Sequence, residues 1–175
     1  MWVMCTGRRP PRLGGYRTPN PTEQWVRKTL HQTLDILKDR DPSLAAFCGM
    51  AQGTDMIFAE ECLSLLIPFT AAIPFDGQED VWPQPARDRY QSLLSAAAQV
   101  VVVDKLKEYA VTNIKAKYIL RNKWMLDNAD LVLAVWDGSP DGGTANVVKE
   151  ATKRGMKLVI LDPVERTVAN GLPNP

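Results

Sequence analysis

Val135-Trp136-Asp137-Gly138-Ser139-Pro140-Asp141-Gly142-Gly143-Thr144 lies where one periodicity gives way to another. Before it, Leu131 to Trp136 is a continuous apolar run, the length of a buried strand. After it, a helix is predicted from Gly143 or Thr144 to about Arg154, with Gly155 as its stop. Apolar strand, glycine-rich turn and helix is the arrangement that presents backbone N–H groups to an anion. No Gly-Lys-Ser/Thr follows, so this is not a Walker A loop. It is not G-x-G-x-x-G either, which argues against a standard nicotinamide site.

Strand and helix alternate through the rest of the chain. Strands are predicted at Trp2–Cys5, Leu44–Cys48, Phe69–Ile73, Val100–Val103 and Lys157–Leu161, besides Leu131–Trp136. The first helix is announced by Asn20 as cap, Pro21 at the first helical position and Glu23 three residues past the cap. Its apolar face is Val26, Leu30, Leu34 and Leu37. A second helix is expected to bury Met56, Ala59, Leu63 and Leu66 before Pro68 stops it. Tyr90, Leu93, Leu94 and Ala97 mark a third, and a fourth runs from Asn113 to Asn128. Most strands are apolar throughout and do not alternate in and out, which fits a parallel sheet covered on both faces. The predicted class is α/β: three layers, α/β/α, around a mainly parallel sheet of about five to six strands. Residues 1–162 form one domain, and 163–175 are read as a polar, proline-spaced, mobile tail.

Composition narrows the function classes. A chain of 175 residues that is 45% hydrophobic and 23% charged is expected to fold, and a formal net charge of +1 gives no general field for nucleic acid or an anionic membrane. Three cysteines, Cys5, Cys48 and Cys62, form no C-x-x-C pair and read as buried thiols. Arg8 and Arg9 interrupt the first apolar run, so no signal peptide is read and a cytoplasmic location is expected. His31 is the only histidine and reads as structural, which argues against a histidine triad or metal site.

The loops Thr6–Tyr16, Gly49–Asp55, Pro74–Trp82 and Asp137–Thr144 all follow predicted strands. In a parallel sheet they therefore share one edge, where such folds bind ligands. Gly142, Gly143 and Thr144 offer open N–H groups, a helix dipole and a hydroxyl, which suit a phosphate. Asp55 falls in the first turn of a helix, either to complement its dipole or to accept hydrogen bonds from a ribose or base. Arg8 and Arg9 cannot both point the same way from an extended segment, so one of them is expected to be solvated. Trp82 is read either as a platform for a base or as a packing anchor.

These motifs together resemble the YpsA branch of the SLOG superfamily, which also holds the single-strand DNA-processing protein DprA and the LOG-type hydrolases. The residues carrying the likeness are Thr6-Gly7-Arg8-Arg9-Pro10 with Leu13-Gly14-Gly15-Tyr16, then Gly49-Met50-Ala51-Gln52-Gly53-Thr54-Asp55. They continue with Ile73-Pro74-Phe75, Gln78-Glu79 and Trp82, then Arg121-Asn122 with Trp124-Met125, then Val135 to Asn146. The resemblance implies a Rossmann-like sheet and a pocket for nucleotides or nucleotide-derived molecules, with dimers common among relatives. The implied ligand-binding residues are Thr6, Gly7, Arg9, Gly14, Gly15 and Tyr16 from the first loop and Gly49, Met50, Gly53 and Asp55 from the second. Pro74, Glu79 and Trp82 follow from the third, Arg121 and Asn122 from the fourth helix, and Asp137, Gly142, Gly143, Thr144 and Asn146 from the last motif. LOG-type hydrolases use an arginine matched by Arg121 and a glutamate three residues after Gly-Thr. That position is Val147 here, so Glu79, Asp55 or a displaced Glu150 would have to serve instead. The reading is a module that binds a nucleotide-like small molecule, with no cofactor required, no metal, no membrane and a homo-oligomeric state. The alternative is an N-glycosidase acting on nucleoside monophosphates, with Arg121, Glu79 and Asp55 as catalytic candidates. A third reading is single-stranded DNA binding.

Overall fold

In the computed structural model, which describes residues 1–170, strand and helix alternate. The order is β1 (Trp2–Gly7), α1 (Pro21–Arg40), β2 (Ala45–Cys48), α2 (Thr54–Ser64), β3 (Phe69–Ile73), α3 (Gln84–Ala96) and β4 (Gln99–Val102). It continues with α4 (Ile114–Asn128), β5 (Leu131–Val135), α5 (Gly142–Lys153), β6 (Lys157–Asp162) and β7 (Thr167–Ala169). Short 3-10 turns occupy Pro10–Arg12, Val103–Lys105 and Lys107–Tyr109.

The sheet order is β4-β3-β2-β1-β5-β6-β7. The first six strands are parallel and β7 is antiparallel to β6. From β1 the chain winds outward to β4, returns through α4 to the other side of β1, and continues to β6. Right-handed crossovers then require the helices of the two halves to lie on opposite faces. Side chains of β1 divide accordingly. Val3 and Cys5 join the core under α1, α2 and α3, and Met4 joins the core under α4 and α5. The strand order reverses between β1 and β5, whose registered pairs run from Val3↔Leu131 to Gly7↔Val135. A crevice opens beyond the carboxyl ends of these two strands.

Local signals explain most of the elements. Asn20 accepts from the N–H groups of Thr22 (3.1 Å) and Glu23 (3.0 Å), and Pro21 opens α1. Val26, Leu30, Leu34 and Leu37 are buried, each worth roughly 1.5–3 kcal/mol of transfer free energy. Gly155, at φ 64°, closes α5 with Met156 N–H donating to Ala151 (3.0 Å) and Gly155 N–H to Thr152 (3.0 Å). Cys5, Cys48 and Cys62 are free and buried, and His31 pairs through Nδ1 with Glu61 at 2.8 Å.

Three expectations are corrected. Leu66 is not on a buried helix face. The helix ends at Ser64, and Leu66 takes φ 54° with 83% exposure. It stands where a helix stop normally puts glycine, with Ile67 N–H donating to Cys62 (2.8 Å) and Leu66 N–H to Leu63 (3.1 Å). Leu63 is only half-buried. The segment read as a mobile tail contributes β7, paired from Ile160↔Ala169 to Asp162↔Thr167; residues 171–175 lie outside the described part. Among the described residues no helix is long and apolar enough to cross a membrane.

The Asn20 cap gives a direct test of the fold. Asn20→Ala is expected to cost about 1 kcal/mol. By thermal denaturation that is a Tm lower by about 2–4 °C for a chain of this size.

Candidate functional site

Beyond β1 and β5 lies a cavity of about 450 Å³. Its walls come from the end of β1, the turn before α2, the inner face of α4 and the start of α5.

Arg8 builds the wall between β1 and β5. It is only 6% exposed. Its Nε donates to Asp137 Oδ1 at 3.1 Å, its Nη1 to the Asp141 carbonyl at 3.1 Å, and its Nη2 reaches Asp137 and Ser139. Ser139 also donates to Asp137, from N at 3.2 Å and Oγ at 2.5 Å. Though partial burial opposes it, these bonds from Ser139 and Arg8 hold the Asp137 carboxyl down to about 2. Thr54, fully buried, ties the same loop to α2: its Oγ1 and N–H both donate to the Arg8 carbonyl, at 3.0 and 3.2 Å. Gly7 and Gly53 permit this approach, because a Cβ at Gly7 would lie 2.4 Å from Thr54 Oγ1 and one at Gly53 2.6 Å from the Arg8 carbonyl.

Arg121 forms the floor. It is 5% exposed, and among the described residues neither Nε nor Nη1 has a hydrogen-bond partner. Buried donors left in that condition are rare and costly. Asp55 Oδ2 stands 3.7 Å from Nη1, near enough for charge attraction and too far for a hydrogen bond. Asp55 itself accepts from Ala51 N–H at 3.2 Å. Burial pushes the Asp55 carboxyl up, opposed by Arg121, the Ala51 N–H and Arg9. Burial likewise lowers the Arg121 pKa, and Asp55 opposes that shift. Gly49 makes room for the guanidinium, since a Cβ there would sit 1.7 Å from Nη1.

The far wall is the start of α5. Gly142 adopts φ 91°, and Asp141 at the cap makes no side-chain hydrogen bond to the first turn. The opening N–H groups of a helix have no acceptor within the helix, so Gly142, Gly143 and Thr144 bring donors and the positive dipole end to the cavity. Asn122 extends toward the same wall, its Nδ2 lying 3.6 Å from where a Gly143 Cβ would be.

Of the residues singled out by sequence, the cavity gathers Thr6, Gly7, Arg9, Asp55, Arg121, Asn122, Gly142, Gly143 and Thr144. Others support the walls without lining them: Gly49 and Gly53 as close-approach positions, and Asp137 as the partner of Arg8. Met50 is fully buried in the first core, holding the turn in a left-handed conformation at φ 58°. Several are placed elsewhere. Gly14 at φ 86° leaves space for the Asn20 cap, Gly15 N–H donates to the Pro10 carbonyl at 2.9 Å, and Tyr16 is 68% exposed. The Pro74 carbonyl accepts from Asp104 N–H at 3.3 Å, joining the ends of β3 and β4. Glu79 accepts from Gln91 at 2.7 Å, and Trp82 packs edge-on against Tyr90 at 5.4 Å, so it is an anchor. Asn146 is exposed on α5.

The cavity also recruits Arg8, Pro11, Arg12, Ala51, Tyr118, Met125 and Asp141, which the ligand-binding set omits. Tyr118 and Met125 lie three before and four after Arg121, and that helical spacing was the available signal.

Acid–base chemistry has few carriers here. Val147 is 2% exposed and packs in the core with Met4, Met125 and Val132. Glu150 is bound to Arg154 Nε at 2.7 Å on the outside of α5. Asp55 is the buried carboxylate on the cavity, with Asp141 at its exposed mouth. Burial pushes the Cys5 thiol well up, which disfavours the nucleophilic thiolate. Among the described residues no group of three or more histidine, cysteine or acidic side chains could hold a metal ion.

Known proteins agree with this architecture. The SPbeta prophage-derived protein YoqJ of Bacillus subtilis is 30% identical over 146 residues, covering 77% of this chain and 84% of that protein. DprA from Streptococcus pneumoniae superposes with a TM-score of 0.62 at 15% identity, over 91% of this chain but 50% of its own. DNA processing protein A of Helicobacter pylori, described for its single-stranded DNA binding mode, gives a TM-score of 0.60 at 18% identity, over 93% of this chain and 65% of its own. At these identities the two structures testify to the fold alone. The YpsA family model, described as the YspA SLOG family, matches residues 3–164, and the chain belongs to that family.

Proposed function

We propose that the cavity binds a nucleotide or nucleotide-derived molecule, with an anionic group held between Arg121 and the start of α5. The observation that carries this is Arg121: a buried guanidinium with Nε and Nη1 unpartnered, on the same cavity as the helix start. A phosphate oxygen would satisfy those donors, and charge-assisted bonds of this kind are strong. Arg9, exposed at the mouth, adds a second cation. The volume of about 450 Å³ is of small-molecule size. Thr6, Asn122 and Asp55 supply polar groups for a ribose or base.

The hydrolase reading rests on Asp55 alone, because Val147, Glu79 and Glu150 are committed elsewhere. Single-stranded DNA would engage Arg9 and Arg12 at the mouth, by analogy with the H. pylori protein. It would leave buried Arg121 unexplained.

Calorimetry with AMP, ADP and ADP-ribose is expected to show one site per chain and a rise in Tm with ligand concentration. Arg121→Lys keeps the charge but loses the planar fork, and affinity is expected to fall by about tenfold or more. Failure of the whole panel to bind would sink the reading. Long incubation with nucleoside monophosphates, followed chromatographically, is expected to return them intact. Free base released by the wild type and lost in Asp55→Asn would favour hydrolysis. Retention of a labelled oligodeoxythymidine that weakens steeply with salt would favour the DNA reading.

A further inference from the structure

We propose that Asp55 competes with the bound anion for Arg121, so that anion binding draws a proton from solvent onto the Asp55 carboxylate. This rests on the anion site described above and assigns it a proton-linked selectivity.

The geometry leaves Asp55 and Arg121 only loosely joined. They are 3.7 Å apart, both sides are buried, and among the described residues the carboxylate accepts one hydrogen bond, at 3.2 Å from Ala51 N–H. An anion that accepts from Nη1 must therefore approach the charge that Nη1 already attracts. Two anions sharing one buried cation raise the proton affinity of the carboxylate, by a unit or more at such range. Burial already favours the neutral form of Asp55.

Arg9 faces Asp55 from the loop after β1 and Arg121 from α4, both guanidiniums. Cys5 of β1 and Cys48 of β2 are buried thiols pushed well up, and both remain neutral. Arg8 is occupied by Asp137, and Arg12 lies 3.7 Å from the same carboxylate. Tyr118 of α4 lines the cavity, and Asp141 is exposed at its mouth. Asp55 is the buried acid in the set.

The sign follows. With the carboxylate ionised the site is partly filled by its own anion, and with it protonated Arg121 is released to the ligand. Affinity is therefore highest at low pH and falls as pH rises through the raised Asp55 value, by up to about tenfold per unit for one linked proton.

Sulfate stays a dianion across the range and adds no titration of its own, which makes it the first probe, with AMP as the second. Calorimetry on the full chain from about pH 5 to about pH 8, in two buffers of different ionisation enthalpy, is expected to show proton uptake on binding. Asp55→Asn is expected to bind sulfate with little pH dependence and without proton uptake, and Glu150→Gln, on the outside of α5, to retain both. The wild-type buffer comparison decides the matter even if Asp55→Asn does not fold. Affinity that is flat with pH, or a slope unchanged in Asp55→Asn, would overturn this inference and leave the anion site standing. No binding of sulfate or AMP at any pH would overturn the site and the inference together.

Discussion

The architecture hinges on closing a gap. Strand order reverses at β1 and β5, so the loops beyond them depart toward opposite faces of the sheet. Arg8 spans that divergence. Its guanidinium joins Asp137 and the Asp141 carbonyl, while its own backbone carbonyl takes both donors of Thr54. Three chain segments, after β1, before α2 and before α5, therefore meet at one residue. Without that tie the crevice would still exist by topology, but its walls would have no fixed spacing. The partly buried pair costs desolvation, so its value lies in position more than in net stability.

The chain belongs to the YpsA family, and the motifs that its sequence shares with SLOG proteins fall on different parts of the fold. The arginine of α4 and the glycine-rich start of α5 lie on one cavity. Val147 of α5 packs inward with Met4 and Val132. At its tip α5 turns backbone donors toward the cavity, one turn later Val147 packs into the core, and its one acid, Glu150, is bound to Arg154 on the outside.

Much of the fold was legible because its signals are local. Asn20-Pro21 with Glu23 marked the start of α1, Gly155 marked the end of α5, and apolar runs marked the strands. What escaped depended on context. Leu66 closes α2 in a left-handed conformation without the glycine that would have announced it. Thr167–Ala169 pairs only because β6 presents an edge. The strand-end loops do share one edge of the sheet, but the sequence did not show which way each loop turns. Pro74 to Trp82 bends away because Trp82 packs on Tyr90. Sequence left Arg8 and Arg9 undecided between wall and solvent, since the partner that fixes Arg8 is 129 residues away.

Gly49 carries a consequence of a different kind. The guanidinium of Arg121 occupies the space a side chain at position 49 would need, at 1.7 Å from its first carbon. The cation is thus seated in a notch of the main chain instead of a cradle of polar groups. A single methyl group there would evict it without altering any charge or hydrogen-bonding side chain. Position 49 can therefore take a side chain only if the Arg121 guanidinium moves out of the notch, so the place of the cation is set partly by an atom that is not there.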